Sequence, residues 1–370
     1  MNRRSSPIDT TDRQIDPAIA ALIESSGIVP GSFRGRIIAQ LIQDSLKLAD
    51  ETYDGGQLKL ISRAMREMRY AYRVFNRYVG TRKISIFGSA RTPPEHPDYI
   101  AAREFSRSMA AHGWMCITGA GDGIMKAGHE GPQREASFGL SIRLPFETTA
   151  NTVIEGDPKL INFRYFFTRK LMFMSHADAV AVFPGGFGTQ DELFEALTLV
   201  QTGKSNPVPI VMIEGKGGVY WQHWASYIRD NLLGNGWISP EDPNIFHIAR
   251  DIDDAVDHVV RFYSVYHSSR YVGDQYVLRL TRALSPQTIE QLNDTFAPLY
   301  RDGGRIAPSG PLPGEEDHLT LPRLVFKHTR RQFGLIRALI DRVNALGAED
   351  IPAAHVSPMP AQLGGRAPAG

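Results

Sequence analysis

Between residues 33 and 78 the apolar positions recur at three- and four-residue steps: Ile37, Ile38, Leu41, Ile42 and Leu46, then Ile61, Ala64, Met65, Met68, Tyr72 and Phe75. That spacing puts one apolar stripe on each of two helices, predicted over 33–50 and 57–78, with Asp54-Gly55-Gly56 as the turn between them. The first fifteen or so residues are polar and read as a frayed terminus.

From Lys83 the pattern changes. Short β-rich runs, each closed by glycine or proline, cover 83–87, 114–118, 139–144, 179–183, 209–213 and 245–248. Helical patterns fill 99–111, 123–136, 163–175, 189–202, 220–233 and 252–266. Strand–helix alternation predicts an α/β fold, a Rossmann-like doubly wound parallel sheet with helices on both faces. Such sheets take ligands at the carboxyl ends of their strands. Past residue 266 the alternation stops. A β-rich run at 276–280 precedes a helix capped by Ser285 with Pro286 at its first position. A Pro/Gly-rich link at 307–314 then leads to a long helix predicted over 321–346. The expected organisation is a helical N-terminal extension (1–80), an α/β domain (81–267), a mostly helical C-terminal extension (268–350) and a disordered Pro/Ala/Gly-rich tail (351–370).

Composition narrows the function. Lys and Arg number 41 against 40 Asp and Glu, so no global field recruits nucleic acid or an anionic membrane. The lone cysteine, Cys116, excludes an internal disulfide framework and reads as core filler. No apolar run approaches the roughly 18 residues of a membrane helix. The start, Met1-Asn2-Arg3-Arg4, has no apolar stretch behind it, so a cytoplasmic protein is expected. The histidines show no metal-ligand spacing; His318 beside Glu315, Glu316 and Asp317 is the one local cluster, and no metal is expected.

Three glycine loops follow three of the runs: Gly88-Ser89-Ala90, Gly119-Ala120-Gly121-Asp122-Gly123 and Pro184-Gly185-Gly186-Phe187-Gly188-Thr189. Glycine lets backbone N–H groups approach a ligand, and the following helix adds partial positive charge, so phosphate is the natural guest. Alone, the first loop is equally a tight turn and the second is a weak signal. The third is far more specific. None is a Walker loop, for no Gly-Lys-Ser/Thr follows, and GAGDG is not the dinucleotide fingerprint. A loop built for one phosphate suggests a nucleoside monophosphate. Arg169 precedes the third loop and Glu192 follows it, a pairing suited to sugar chemistry, though singly each reads as a surface cation or a helix-start carboxylate.

The stretch 163–204, which contains FFTRKLMFMSHADAVAVFPGGFGTQDELFEALTLVQTGK, resembles the Lonely Guy (LOG) family of cytokinin riboside 5'-monophosphate phosphoribohydrolases and related nucleotide nucleosidases. The family pattern is an Arg-Lys step before the strand and PGGxGTxxE after it; the likeness runs over roughly 83–266, with flanks like those of longer bacterial members. The resemblance implies that Arg169 and Glu192 are the catalytic pair, and that Gly185, Gly186, Gly188 and Thr189 hold a 5'-phosphate. It implies that Ser89, Gly119 and Gly121 belong to the family's first two loops and that Lys170 and Thr198 contact substrate. No cofactor is implied, and at least a homodimer is. The substrate would be AMP or a cytokinin riboside 5'-monophosphate, the products free base and ribose 5-phosphate. Gln190-Asp191 replaces a common Leu-Glu, and Ala120 interrupts a common triple glycine, which leaves the preferred base open. Glu147 reads equally as a base or ribose ligand and as a solvated loop carboxylate. An older description of such sequences as lysine decarboxylases finds no pyridoxal-phosphate lysine here. Two rivals remain: a non-catalytic nucleotide or cofactor carrier, and a DNA-binding protein using Arg323, Lys327, Arg330 and Arg331 as a basic stripe on the last helix.

Overall fold

Seven parallel strands lie in the order β4-β3-β2-β1-β5-β6-β7. They are β1 (Lys83–Phe87), β2 (Met115–Thr118), β3 (Ser137–Ile142), β4 (Leu160–Phe163), β5 (Ala179–Val182), β6 (Ile210–Met212) and β7 (Phe246–Ile248). The structure, a computed structural model, describes residues 15–50, 54–142 and 150–350. The chain enters the sheet at its middle, winds outward through β2, β3 and β4, returns to pair β5 beside β1, and continues to β6 and β7. This is the doubly wound α/β architecture expected, and its direction reverses between β1 and β5. Every residue of β1, β2 and β5 is buried, as strands covered on both faces must be.

The covering helices are α4 (Pro97–Ala111), α5 (Ile124–Glu130), α6 (Phe166–Ser175), α7 (Phe187–Gln201), α8 (Tyr220–Tyr227) and α9 (Ile252–Arg261). One core joins Tyr99, Phe105 and Met109 of α4 and Val256 and Val259 of α9 to Ile84, Ile86, Ala179 and Val211 of the strands. Strand β4 was not expected. It is a four-residue edge strand in which buried Ile161 and Phe163 alternate with outward Leu160 and Asn162, too short a period to separate from the helix predicted from 163.

The chain divides into two compact units, Met1–Tyr70 and Ala71–Gly370. In the first, α1 (Pro17–Ser25) is capped by Asp16, whose side chain accepts from the Ala18 N–H at 2.7 Å, and α2 (Phe33–Asp50) follows. Ile19, Ile23 and Ala39 form its small core. Helix α3 (Gly55–Phe75) contains the division between the units, which falls ten residues before the boundary expected at 80.

The C-terminal expectation needs correction. Residues 268–350 are not set apart from 81–267, and they are organised by a sheet rather than being mostly helical. Strands β8 (Tyr266–Val272), β9 (Gln275–Leu280), β10 (Ala307–Ser309) and β11 (Arg323–Lys327) form an antiparallel sheet in the order β10-β11-β9-β8. Helix α10 (Pro286–Thr295), capped by Ser285 as expected, and α11 (Phe333–Glu349) pack on it through Leu292, Ile336, Leu339 and Val343. The long helix predicted over 321–346 therefore begins at Phe333. Its first part is β11, and Arg330 and Gln332 take left-handed conformations (φ +61° and +57°) that no helix can contain. The basic stripe disappears with it. Arg323 is buried on β11 and ion-paired to Glu315 at 2.8 Å, Lys327 lies 3.6 Å from Asp274, and Arg330 sits over the Tyr271 ring. Among the described residues no helix is long and apolar enough to cross a membrane, and no group of three or more His, Cys, Asp or Glu is placed to hold a metal.

Candidate active site

The reversal between β1 and β5 leaves a crevice at their carboxyl ends, where the first and third glycine loops meet: the Ser89 N–H donates to the Pro184 carbonyl at 3.1 Å. A cavity of about 1210 Å³ opens there, lined by residues 88–91, 119–121 and 186–189 together with Arg169 and Glu192. Three loops scattered through the sequence thus share one cavity. The third loop ends as the start of α7, whose N-cap Gly186 offers no side chain, so the first N–H groups of the helix are left for a ligand. A Cβ at Gly185 would collide with Thr189 Oγ1, and one at Gly123 (φ +61°) with the Ser89 carbonyl, so these turns tolerate only glycine.

Glu192 sits on the inward stripe of α7 with Thr189, Leu193, Ala196 and Val200, a carboxylate where the helix otherwise buries small or apolar groups. Arg169, on α6, faces it across the cavity with Nη2 3.9 Å from Glu192 Oε1. The Arg169 guanidinium also lies over Phe166, 5.2 Å from the ring centroid. Burial pushes the Glu192 carboxyl up to about 7, against the opposing pull of Lys170 and then Arg169. A group titrating there changes charge near neutral pH.

Lys170 is not part of the cavity lining. Its ammonium is held between Asp191 (2.8 Å) and Glu195 (2.7 Å) on the flank of α7, and although burial disfavours its charge, those two hydrogen bonds keep its pKa above the ordinary value. It reaches Glu192 through its field rather than through shared solvent. Thr198 is exposed farther along α7 and does not line the cavity, so the structure does not bring it to the other site residues. Gly185 backs the loop from behind, while Ser89, Gly119, Gly121, Gly186, Gly188 and Thr189 all line the cavity. Glu147 lies outside the described residues.

One supporting group was not anticipated. Buried His129 Nε2 lies 3.0 Å from both the Phe138 carbonyl and Thr118 Oγ1, and Thr118 Oγ1 accepts from the Ala120 N–H at 3.0 Å. Nε2 therefore carries the proton for the Phe138 carbonyl, and Nδ1 is left to accept from the Asn151 amide at 3.2 Å. Asn151 also donates to the carbonyls of Ala120 (2.8 Å) and Gly121 (3.0 Å). Burial pushes the His129 pKa down to about 4, so this prop is neutral. It holds the second loop with Ala120 at φ +64°. A histidine 11 residues from its partner Thr118 carries no spacing signal in the sequence.

A family model described as "Possible lysine decarboxylase" matches residues 119–259. A rice protein, probable cytokinin riboside 5'-monophosphate phosphoribohydrolase LOG4, is 28% identical over 174 residues, 45% of this chain and 72% of its own length. The cytokinin riboside 5'-monophosphate phosphoribohydrolase of Mycobacterium tuberculosis is 27% identical over 168 residues, 44% of this chain and 86% of its own. Over these residues the chain is similar to LOG-family proteins. Among solved structures, the molybdenum cofactor binding protein of the phototrophic bacterium Rippkaea orientalis is 19% identical, covering 48% of this chain and 95% of that one at a TM-score of 0.33. DNA processing protein A of Helicobacter pylori is 14% identical, covering 49% and 80% at 0.34. Likeness that weak bears on neither substrate nor chemistry. The family model's printed description is not matched by the site: among the described residues lining this cavity there is no lysine to carry a Schiff base.

Proposed function

We propose that this chain is an N-glycosidase that hydrolyses a nucleoside 5'-monophosphate, of the AMP or cytokinin riboside 5'-monophosphate class, to free base and ribose 5-phosphate. The observation that carries this reading is the facing of Arg169 and Glu192, 3.9 Å apart, across a cavity floored by the uncapped start of α7. A carrier needs the floor but not the pair.

In this scheme the 5'-phosphate accepts from the N–H groups opening α7 and from the hydroxyls of Thr189 and Ser89, which anchors the sugar by a group remote from the reacting carbon. The base extends toward the wall made by Met125, Ile142, Leu160 and Phe173, where Ser141 and Asn162 supply polar edges. As the bond from C1' to the base nitrogen breaks, its electron pair leaves with the base and C1' becomes cationic. Ionised Glu192 faces that charge and takes a proton from the attacking water, whose oxygen bonds to C1'. The base gains one proton in turn, so one water is consumed and none is left over. A carboxyl poised near 7 is matched to both halves of that transfer. Arg169 holds a ribose or phosphate oxygen by a charge-assisted hydrogen bond and keeps the Glu192 carboxylate in place. No step calls on a metal or cofactor.

A homo-oligomer belongs to the same proposal. Phe166 and Phe187 at the cavity, with Phe167 and Leu171 beside them on α6, expose apolar surface of the kind that two copies bury between them.

The test is a panel of nucleoside 5'-monophosphates, with the corresponding nucleosides and triphosphates as controls, followed by chromatography for free base. Base release from one or more monophosphates, and not from the nucleosides, is expected. Binding of the monophosphates without release would demote the protein to a carrier.

A further inference from the structure

The loop that this reading depends on is soft by composition. In Pro184-Gly185-Gly186 two glycines flank one peptide plane, which can rotate with little steric opposition. The direction of that plane decides what the cavity is offered. A trans peptide points its C=O and its N–H to opposite sides, so the Gly186 N–H faces the cavity only while the Gly185 carbonyl faces away from it.

Three side chains behind the loop set that direction. The Trp224 indole N–H donates to Gln190 Oε1 at 3.1 Å, Gln190 Nε2 donates to Tyr220 Oη at 2.7 Å, and the Tyr220 hydroxyl donates to the Gly185 carbonyl at 2.7 Å. The order has one sense only. An indole N–H cannot accept, so the Gln190 carbonyl must face Trp224 and its amide must face Tyr220. The tyrosine oxygen accepts there, and its single proton is left for Gly185. The donors are themselves fixed on α8: the Tyr220 N–H donates to Glu214 Oε2 at 2.8 Å, and the buried Trp221 indole donates to the Ile213 carbonyl at 2.9 Å just past β6. None of Tyr220, Gln190 and Trp224 lines the cavity, whereas Gly186 does. Gln190 is also where this chain departs from the family pattern; a leucine there makes neither of its two hydrogen bonds.

We propose that Tyr220, held by Gln190 and Trp224, is a positioning residue that locks the Gly185–Gly186 peptide so that the Gly186 N–H serves the 5'-phosphate site. This rests on taking the cavity as a monophosphate site, and the experiment separates the two. Ribose 5-phosphate is titrated calorimetrically into the full chain, wild type and Tyr220→Phe, with ribose as a control and thermal unfolding as a check on the fold. Loss of the lock weakens ribose 5-phosphate binding about tenfold, the scale of one hydrogen bond to a charged group. In turnover the same variant raises KM for the monophosphate by a similar factor and leaves kcat within about twofold, because the phosphate is held alike in ground and transition states. Gln190→Leu reproduces most of the effect, and the double variant is little worse than Tyr220→Phe alone, as members of one chain of hydrogen bonds behave. Binding by Tyr220→Phe within about twofold of wild type, with the fold intact, overturns the proposal, as does a wild-type chain that does not bind ribose 5-phosphate. A tenfold loss in a protein whose wild type releases no base leaves the lock standing and sinks only the enzymatic reading.

Discussion

Glu192 and Glu315 are buried to the same degree, each 8% exposed, and each lies among cations, yet they ionise in opposite directions. Glu315, in the loop before β11, accepts from the Leu312 N–H at 2.9 Å, from Arg323 Nε at 2.8 Å and from Arg279 Nη2 at 2.6 Å. Burial opposes its charge, but those hydrogen bonds outweigh the burial and pull its pKa down to about 2. Among the described residues Glu192 has the burial without the hydrogen bonds. Its partner Arg169 stands 3.9 Å away, beyond hydrogen-bond reach on the wall of the same cavity, and its pKa rises to about 7. A carboxylate with every lone pair satisfied is a structural rivet. One left under-satisfied beside a cation is a reactive group, held in a state that folding alone would not choose. The C-terminal sheet pairs its charges fully, and the cavity leaves its own open, as the proposed reaction requires.

Removing each carboxylate is the strongest way to break that contrast. Glu192→Gln is expected to lower base release by at least about 10³-fold with the fold intact, as loss of a central electrostatic group does, and Arg169→Ala to do likewise. Normal turnover by either variant would sink the site assignment. Glu315→Gln should leave the cavity untouched but strip buried Arg323 of its carboxylate and leave buried Arg279 with Asp317 alone. The expected loss is about 3–5 kcal/mol of stability, read from denaturant unfolding. An unchanged midpoint would mean that the two arginines find other partners.

The same contrast marks what the sequence could reveal. Arg169 and Glu192 were legible because a glycine-rich turn, a strand and two helices lie side by side in 163–204, so local pattern and spatial neighbourhood coincide. The parallel sheet was legible for the same reason, apart from β4, whose four residues at an edge look like the start of α6. The C-terminal sheet was not. Its central pairing joins β9 to β11 across some fifty residues, and Arg323 reads as part of a basic stripe until the fold brings Glu315 between it and Arg279. Apart from the β-rich run at 276–280, the local signal of that hairpin is the two-residue turn Gly273-Asp274, with Gly273 at φ +62°. Lys170 was placed by the family resemblance in contact with substrate, and only the geometry directs it to Asp191 and Glu195.

Opposite ionisation also means opposite pH slopes of stability. Glu315 binds its proton less readily folded than unfolded, so its contribution is complete above about 4.5 and is lost as the pH falls toward about 2. Glu192 binds its proton more readily folded than unfolded. Below about 4.5 it is neutral in both states and neither helps nor hurts; between about 4.5 and about 7 the unfolded chain has given up the proton that the folded chain still holds, so stability falls, and above about 7 the loss is complete. The whole effect is on the order of 3 kcal/mol. Glu192→Gln, inactive though it is, should therefore unfold at higher temperature than wild type at pH 8, with the gap closing by pH 4.5. A variant less stable than wild type at pH 8 would show that Glu192 is held by contacts of the kind Glu315 has.

The smallest effect is the sharpest test of how Glu192 is tuned. Lys170 is the strongest favourable charge acting on it, ahead of Arg169, although its ammonium is bonded to Asp191 and Glu195. Lys170→Met removes that field and leaves two carboxylates without their counter-ion beside a third. Both changes disfavour ionised Glu192, so its pKa should rise. If turnover needs the carboxylate form, kcat/KM in wild type falls as the pH drops below about 7, and in Lys170→Met the same limb moves upward by about one pH unit, while the plateau at high pH changes little. A substrate contact made by Lys170 itself would do the reverse, lowering the plateau and leaving the limb where it was. The pH profile thus separates a lysine that grips the nucleotide from one that sets the charge of the residue that does the chemistry.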